Sequence, residues 1–382
     1  MELKSERKSK ITFIDLIDWD YNPITPYEKA LGGTQSALCH LTASLAKDGH
    51  CVYLINNTKK TSLVNLVNCI QLKNDSRYME DVLNIIDSDV IIVLSLPTLA
   101  IQLRKIISKK HVKLYLWTQH SYDQECFKGM NSNIVKDSWD GYIFVSNWQK
   151  DAVCNYFNLD RNKAYILKNA ISPAFEELFD ERDEIIKIKT KDPYLIYTST
   201  PFRGLEILLE LYPDIQKELP DIKLKVISSL KTYQIESDKD EYQHLYKICA
   251  RNPGIDYMGG LSQTDLSTVL KGALILTYPN TFEETSCISV MEALASGCSV
   301  VTTSLAALPE TTEGFASLIE GSATSKLYKQ KFIKSVVSSY RKLTECSQDS
   351  ENKIRSQINF YKINYNWNLR AKELVSLLDR NK

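Results

Sequence analysis

The run Phe282-Glu283-Glu284-Thr285-Ser286-Cys287-Ile288-Ser289-Val290-Met291-Glu292-Ala293-Leu294-Ala295-Ser296-Gly297 sets two carboxylates around a small polar turn and an apolar helix. Glu292 is embedded where every neighbouring side chain is apolar or small. A carboxylate on so buried a helix costs free energy unless it is hydrogen-bonded, and the hydroxyls of a sugar or ribose are suitable partners. Glu284 stands in the loop before the helix. Thr285 and Ser286 are placed to cap the helix, and the free backbone N–H groups there form an anion site suited to a diphosphate. Sugar at one end, phosphate in the middle and ribose at the other is the outline of a nucleotide-sugar.

Outward from this run, strand-like and helix-like segments alternate along the whole chain. Residues 11–17 read as a first strand. Thr34 to Lys47 reads as a helix, with Ala37, Leu38, Leu41 and Leu45 on one face, Thr34 at its start and Gly49 at its end. Further strands are expected at 51–55, 90–94, 113–117, 141–145 and 164–167. Several are continuous Val/Ile/Leu/Tyr runs, as strands buried on both faces of a parallel sheet require. A charged stretch, Glu176 to Lys191, reads as a linker. A second series follows at 194–198, 223–227, 273–278, 299–303 and 316–319, and an amphipathic helix closes the chain at 366–378. The pattern is βαβ twice over and predicts two doubly wound domains. Their facing cleft is the default ligand site.

A chain of 382 residues fits two domains of roughly 150–200 residues. Hydrophobic content of 43% and charged content of 25% are ordinary for a globular protein. Lys plus Arg and Asp plus Glu are both 47, so bulk attraction to nucleic acid or an anionic membrane has no basis. Nine cysteines without a C-x-x-C pair read as reduced core thiols in a reducing compartment, with no structural zinc. Met1 to Lys10 is charged and precedes no apolar signal-peptide core, and the longest apolar run, Val90 to Leu94, is too short to span a bilayer. The expectation is a cytoplasmic protein, compatible with peripheral attachment at the inner face of a membrane.

Four more features carry chemistry. Gly32-Gly33 opens the first helix, where a ligand can approach the backbone. It is neither G-x-G-x-x-G nor a P-loop. His120 ends a buried strand. Thr200 and Arg203 follow the first strand of the second series. Arg203 precedes a helix, where a cation is unfavourable unless an anion joins it, so a diphosphate clamp is a natural reading. Asp18/Asp20, Asp87/Asp89 and Asp238/Asp240 match D-x-D, a short pattern common in acidic loops, and no metal is expected at any of them.

Glu284 to Glu292 followed by Ala293-Leu294-Ala295-Ser296-Gly297 resembles the signature of the retaining GT-B glycosyltransferases of family 4 (glycosyl transferases group 1). Gly32-Gly33, Gln119-His120, Val145-Ser146-Asn147-Trp148, Lys168-Asn169-Ala170 and Asn366-Trp367 resemble its other landmarks. The resemblance implies a GT-B fold of two Rossmann-like domains around a cleft: an acceptor-side domain at 1–178, a nucleotide-sugar domain at 179–359, and a helix at 360–382 returning to the first. It implies that Glu292 bonds the donor ribose and Glu284 the donor sugar. Thr285, Ser286 and Cys287 offer N–H groups to phosphate. Arg203, with Thr200 beside it, binds the diphosphate, Gly32-Gly33 lets ligand approach, and His120 contacts the sugar near the reacting carbon. His120, Glu284 and Arg203 form the implied catalytic set. The implied reaction is metal-independent transfer from a nucleoside diphosphate sugar, with no cofactor, to a glycan, lipid-linked or small acceptor. A non-catalytic GT-B adaptor and an epimerase-like enzyme are the alternatives. The sequence departs from the family at Thr285-Ser286-Cys287 (usually Gly-Phe-Gly), Thr198-Ser199 (usually Gly-Arg) and Ala307-Leu308 (usually Gly-Gly).

Overall fold

A computed structural model of the chain describes residues 8–73, 75–107 and 111–380. The charged opening residues 1–7 lie outside the described residues. The described chain parts into two compact units. One comprises residues 1–25, 34–168 and 368–382, and the other residues 26–33 and 169–367.

The first unit is built on an eight-stranded sheet. Its strands are β1 (Lys10–Ile14), β2 (Cys51–Asn56), β3 (Ser62–Val64), β4 (Val67–Gln71), β5 (Val90–Leu94), β6 (Lys113–Trp117), β7 (Gly141–Phe144) and β8 (Ala164–Ile166), in the order β3-β4-β2-β1-β5-β6-β7-β8. All pairs are parallel except β3–β4. β5 is buried at all five positions, which is why it reads as unbroken Val-Ile-Ile-Val-Leu. The helix Gly33–Lys47 ends where Gly49 takes φ +89°. His50 N–H then donates to Leu45 O and Gly49 N–H to Ala46 O, the paired bonds of a glycine C-cap. The antiparallel β3–β4 hairpin escaped the sequence reading. Its turn uses Asn65 and Leu66 at φ 48° and 65°, where an Asn-Gly pair would have signalled it.

The second unit holds β9 (Tyr194–Thr198), β10 (Lys223–Ile227), β11 (Ile255–Gly259), β12 (Ile275–Tyr278), β13 (Ser299–Thr303) and β14 (Ser317–Ile319), all parallel, in the order β11-β10-β9-β12-β13-β14. β11 was not expected from sequence. It is an edge strand in which only Ile255 is fully buried, so its apolar signal is weak. The charged stretch read as a linker forms instead the helix Ile185–Thr190, with Ile185 and Ile186 in the core. Its Lys189 is buried, and Nζ donates to the carbonyls of Leu270 (3.2 Å), Lys271 (3.0 Å) and Ala273 (2.7 Å). These carbonyls lie at the end of the helix Gln263–Gly272, where Leu270 O also accepts from Ala273 N–H.

Each sheet has one place where strand order reverses: β1 beside β5 in the first, β9 beside β12 in the second. Ligands of open α/β sheets bind beyond the carboxyl ends of the strands at such points. Ser95 follows β5, Ser199 to Arg203 follow β9, and Pro279 to Glu284 follow β12.

Candidate functional site

In the second unit, the loops after β9 and β12 meet at Gly204. Its φ is +116°, and a β-carbon there would overlap the carbonyl oxygen of Pro279. Only glycine permits this approach, and it sets Arg203 beside Glu284. Arg203 Nη1 donates to Glu284 Oε1 at 2.9 Å, and Tyr278 OH donates to the same oxygen at 2.6 Å. Arg203 Nη2 reaches Tyr233 OH at 3.4 Å. The guanidinium lies over the rings of Phe282 (4.6 Å) and Phe202 (5.4 Å). Burial works against the charge of Arg203. The charge of Glu284, together with Tyr233, Tyr278 and Cys287, offsets it and holds the group above its ordinary value. Burial, then the charge of Glu284, drives the Tyr278 hydroxyl well above its ordinary range, so it stays a neutral donor. The sequence had assigned Arg203 to a diphosphate. The structure shows it engaged with the carboxylate assigned to the sugar.

Glu292 lies buried on the helix Ile288–Ala295. Its carboxyl is pushed up to about 8 by burial, with the Ser172 backbone N–H and the Gln263 side chain pulling the other way. One oxygen, Oε1, is buried without any hydrogen-bond partner, as is Gln263 Oε1. Ser172 and Gln263 were missed from sequence because they lie on distant segments with no motif of their own. The helix begins differently from the expectation that Thr285 or Ser286 caps it. The cap residue is Cys287, which makes no side-chain capping bond. The cap residue thus supplies no hydroxyl to the N–H groups of the first turn. The Cys287 thiol is driven well above its ordinary value by burial and then by Glu284. Thr285 and Ser286 are both buried, and Ser286 O accepts from Asn169 Nδ2 at 3.4 Å.

Residues 26–33 belong to this unit, and Gly33 lies beside the same helix. A β-carbon on Gly33 would meet only Ile288 Cδ1, at 3.6 Å, an ordinary contact. No positive φ requires glycine at 32 or 33. At Gly33, then, neither turn geometry nor crowding requires glycine. At the strand ends, Thr198 Oγ1, Thr200 Oγ1, Ser228 Oγ and Arg203 Nε are buried without partners. Buried polar atoms left bare in this way are uncommon in folded proteins. Their grouping after β9 and β10 marks a surface suited to a polar ligand.

His120 belongs to the first unit, just beyond β6. Its Nδ1 lies 3.0 Å from Ser95 Oγ, and its carbonyl accepts from Gln149 Nε2 at 2.8 Å. The D-x-D pairs serve local structure. Asp20 pairs with Lys59, Asp89 accepts from Lys10 N–H, and Asp87 closes a helix in the left-handed conformation. Asp240 is buried and accepts from Tyr242 N–H and Tyr246 OH.

Comparison with known proteins follows the geometry. Residues 179–353 match the family model of glycosyl transferases group 1. No curated protein sequence matches the chain. Among solved structures, a glycosyltransferase from Rickettsia africae is similar at TM-score 0.73 and 13% identity, over 98% of each chain. Sucrose-phosphate synthase from Thermosynechococcus elongatus is similar at 0.72 and 12%, over 98% of this chain and 99% of its own. Anabaena HepE, solved with UDP-glucose, is similar at 0.72 and 12%, over 97% of this chain and 100% of its own. At such identities the likeness establishes the fold, and the matched segment contains both glutamates and Arg203. Residues 179–353 thus resemble the glycosyl transferases group 1, on a chain that has the GT-B fold of two Rossmann-like units.

Proposed function

We propose that the chain is a retaining glycosyltransferase that moves a sugar from a nucleoside diphosphate sugar to a glycan, lipid-linked or small-molecule acceptor. The observation that carries this reading is the bare, buried Oε1 of Glu292, on a helix whose start has no side-chain cap. A ribose hydroxyl supplies the donor that oxygen lacks, and a diphosphate supplies the charge the helix start favours. Residues 179–353 match the model of the glycosyl transferases group 1, which supports glycosyl transfer. HepE, one of the similar structures, was solved with UDP-glucose, which supports a nucleotide-sugar donor here.

In this reading Glu292 takes the ribose and Glu284 the donor sugar, with Arg203 and Tyr278 holding the Glu284 carboxylate in place. Backbone N–H groups at 285–287, together with Thr200 and Arg203, face the diphosphate and carry its charge as the bond to the anomeric carbon breaks. Gly32 and Gly33 let ligand approach the backbone, and His120 contacts the transferred sugar. The reaction takes no cofactor and no metal, so turnover persists in excess chelator. The protein works in the cytoplasm, at the inner membrane face where the acceptor is lipid-linked. No helix among the described residues is long and apolar enough to cross a membrane.

The test is calorimetric titration with UDP, GDP and ADP, then with sugars on the best base. Selective binding of one diphosphate, lost in Glu292→Ala, is the expected result. Wild-type affinity in Glu292→Ala removes the ribose role. Binding of no nucleotide removes the transferase reading in favour of an adaptor, and epimer release without acceptor favours an epimerase-like enzyme.

A further inference from the structure

Ser95 directly follows β5 at the strand-order reversal of the first unit. Its φ is 50°, in the left-handed region that a non-glycine residue rarely occupies. Most other residues with such a φ have a local reason. Asn65 and Leu66 turn a hairpin, and Asp87, Asn158, Gln234 and Glu313 close helices. Ser95 does neither. Glycine would take the same φ without strain, so backbone geometry alone favours glycine here. What serine adds is a hydroxyl, and that hydroxyl lies 3.0 Å from His120 Nδ1.

The surroundings fix both partners. Ser95 N–H donates to Trp117 O at the end of β6, the strand that leads to His120. Gln149 is fully buried and bridges the next loop. Its Nε2 donates to Thr118 O (3.0 Å) and His120 O (2.8 Å), while its Oε1 accepts from Val145 N–H (2.8 Å). The backbone of His120 is thereby held. The Ser95 hydroxyl can donate to or accept from Nδ1, so the contact fixes the orientation of the ring in either tautomer. Strained backbone retained at a strand end is found where a side chain has to be aimed.

We propose that Ser95 is a positioning residue for His120, its strained backbone delivering a hydroxyl to Nδ1 that sets the rotation of the ring. The inference rests on the reading of His120 as a contact to the transferred sugar. It goes beyond that reading in assigning a function to a residue outside every sequence motif.

The experiment compares the full chain with Ser95→Gly, Ser95→Ala, His120→Ala and the double variant Ser95→Gly/His120→Ala. Three quantities are read: melting temperature, the His120 ring resonances in long-range ¹H–¹⁵N spectra, and turnover as nucleoside diphosphate released from UDP-, GDP- or ADP-glucose. Ser95→Gly should melt no lower than wild type, because it relieves the left-handed strain. Its ring signals should shift and broaden as the ring loses its fixed orientation. Its kcat should fall about tenfold, the worth of one aligned hydrogen bond, with donor KM within about twofold. Ser95→Ala should lose the same turnover without the relief of strain, and the double variant should be no slower than His120→Ala. Unchanged ring signals in Ser95→Gly overturn the proposal whether or not a donor is turned over. So does wild-type kcat in Ser95→Gly beside an impaired His120→Ala. Wild-type turnover in His120→Ala instead removes the reading of His120 and this inference with it.

Discussion

Glu292 concentrates the chemistry of the second unit in one side chain. Burial pushes its carboxyl up to about 8, so at neutral pH the folded protein holds a proton that the unfolded chain has released. Stability from that proton is full below the ordinary glutamate range and is lost as pH rises through about 8. Glu292→Gln carries no such proton. Urea denaturation should find this variant more stable than wild type by about 2 kcal/mol at alkaline pH and closer to it in mild acid. Ligand binding tests the same group from the other side. Hydroxyls donating to Oε1 favour the carboxylate, so nucleotide binding near pH 7 should release protons and tighten as pH approaches about 8. Calorimetry in buffers of different ionisation enthalpy measures that release, and uptake of protons would contradict the ribose role. Glu292 was legible from sequence because a carboxylate among Val, Met, Ala and Leu is anomalous in itself, and Glu284 from its place in the polar turn before that helix. Tyr278, Gln263 and Ser172 were not, because each is an ordinary residue until the fold brings it to a carboxylate.

At the scale of elements, the site depends on how two loops pack beyond β9 and β12. Gly204→Ala forces a β-carbon onto the Pro279 carbonyl at a φ of +116°, which should destabilise the second unit by about 3 kcal/mol or more. The same substitution should separate Arg203 from Glu284 and weaken sugar-nucleotide binding, read by thermal melts with and without UDP-glucose. Lys189 shows how a charged stretch becomes core. Lys189→Met strips the donor from three carbonyls at a helix end and should lower stability by about 3 kcal/mol in denaturant titrations. The strands of both sheets were legible because burial on both faces leaves continuous apolar runs. The β3–β4 hairpin and β11 were not. One turns through Leu66 rather than glycine, and the other is an edge strand with a single fully buried apolar residue.

At the scale of the whole molecule, neither unit is one continuous piece of chain. Residues 26–33 belong to the second unit and residues 368–382 to the first. The helix Trp367–Arg380 buries Ala371, Leu374 and Leu378. A fragment ending at residue 168 lacks this helix and should expose the apolar surface it covers. Such a fragment is expected to show poor amide dispersion by NMR, improved when residues 367–380 are co-expressed, and native-like spectra without the helix would refute this. Each unit has its own core, centred on β5 and β6 in the first and on β9 and β12 in the second.

Periodicity along the chain was enough to determine two doubly wound units, because parallel strands and their covering helices each bury a repeating apolar pattern. The context of Glu284 and Glu292, a small polar turn leading into an apolar helix, was what raised the expectation of a nucleotide-sugar, because an acid in an apolar helix demands a partner. Tertiary structure alone decided that Arg203 grips Glu284, that Cys287 rather than a hydroxyl stands at the helix cap, and that Ser95 reaches His120. Each of these pairings joins residues through loops at strand ends. There the backbone path depends on which glycine can be approached and which φ can be strained, and neither leaves a periodic trace in the sequence.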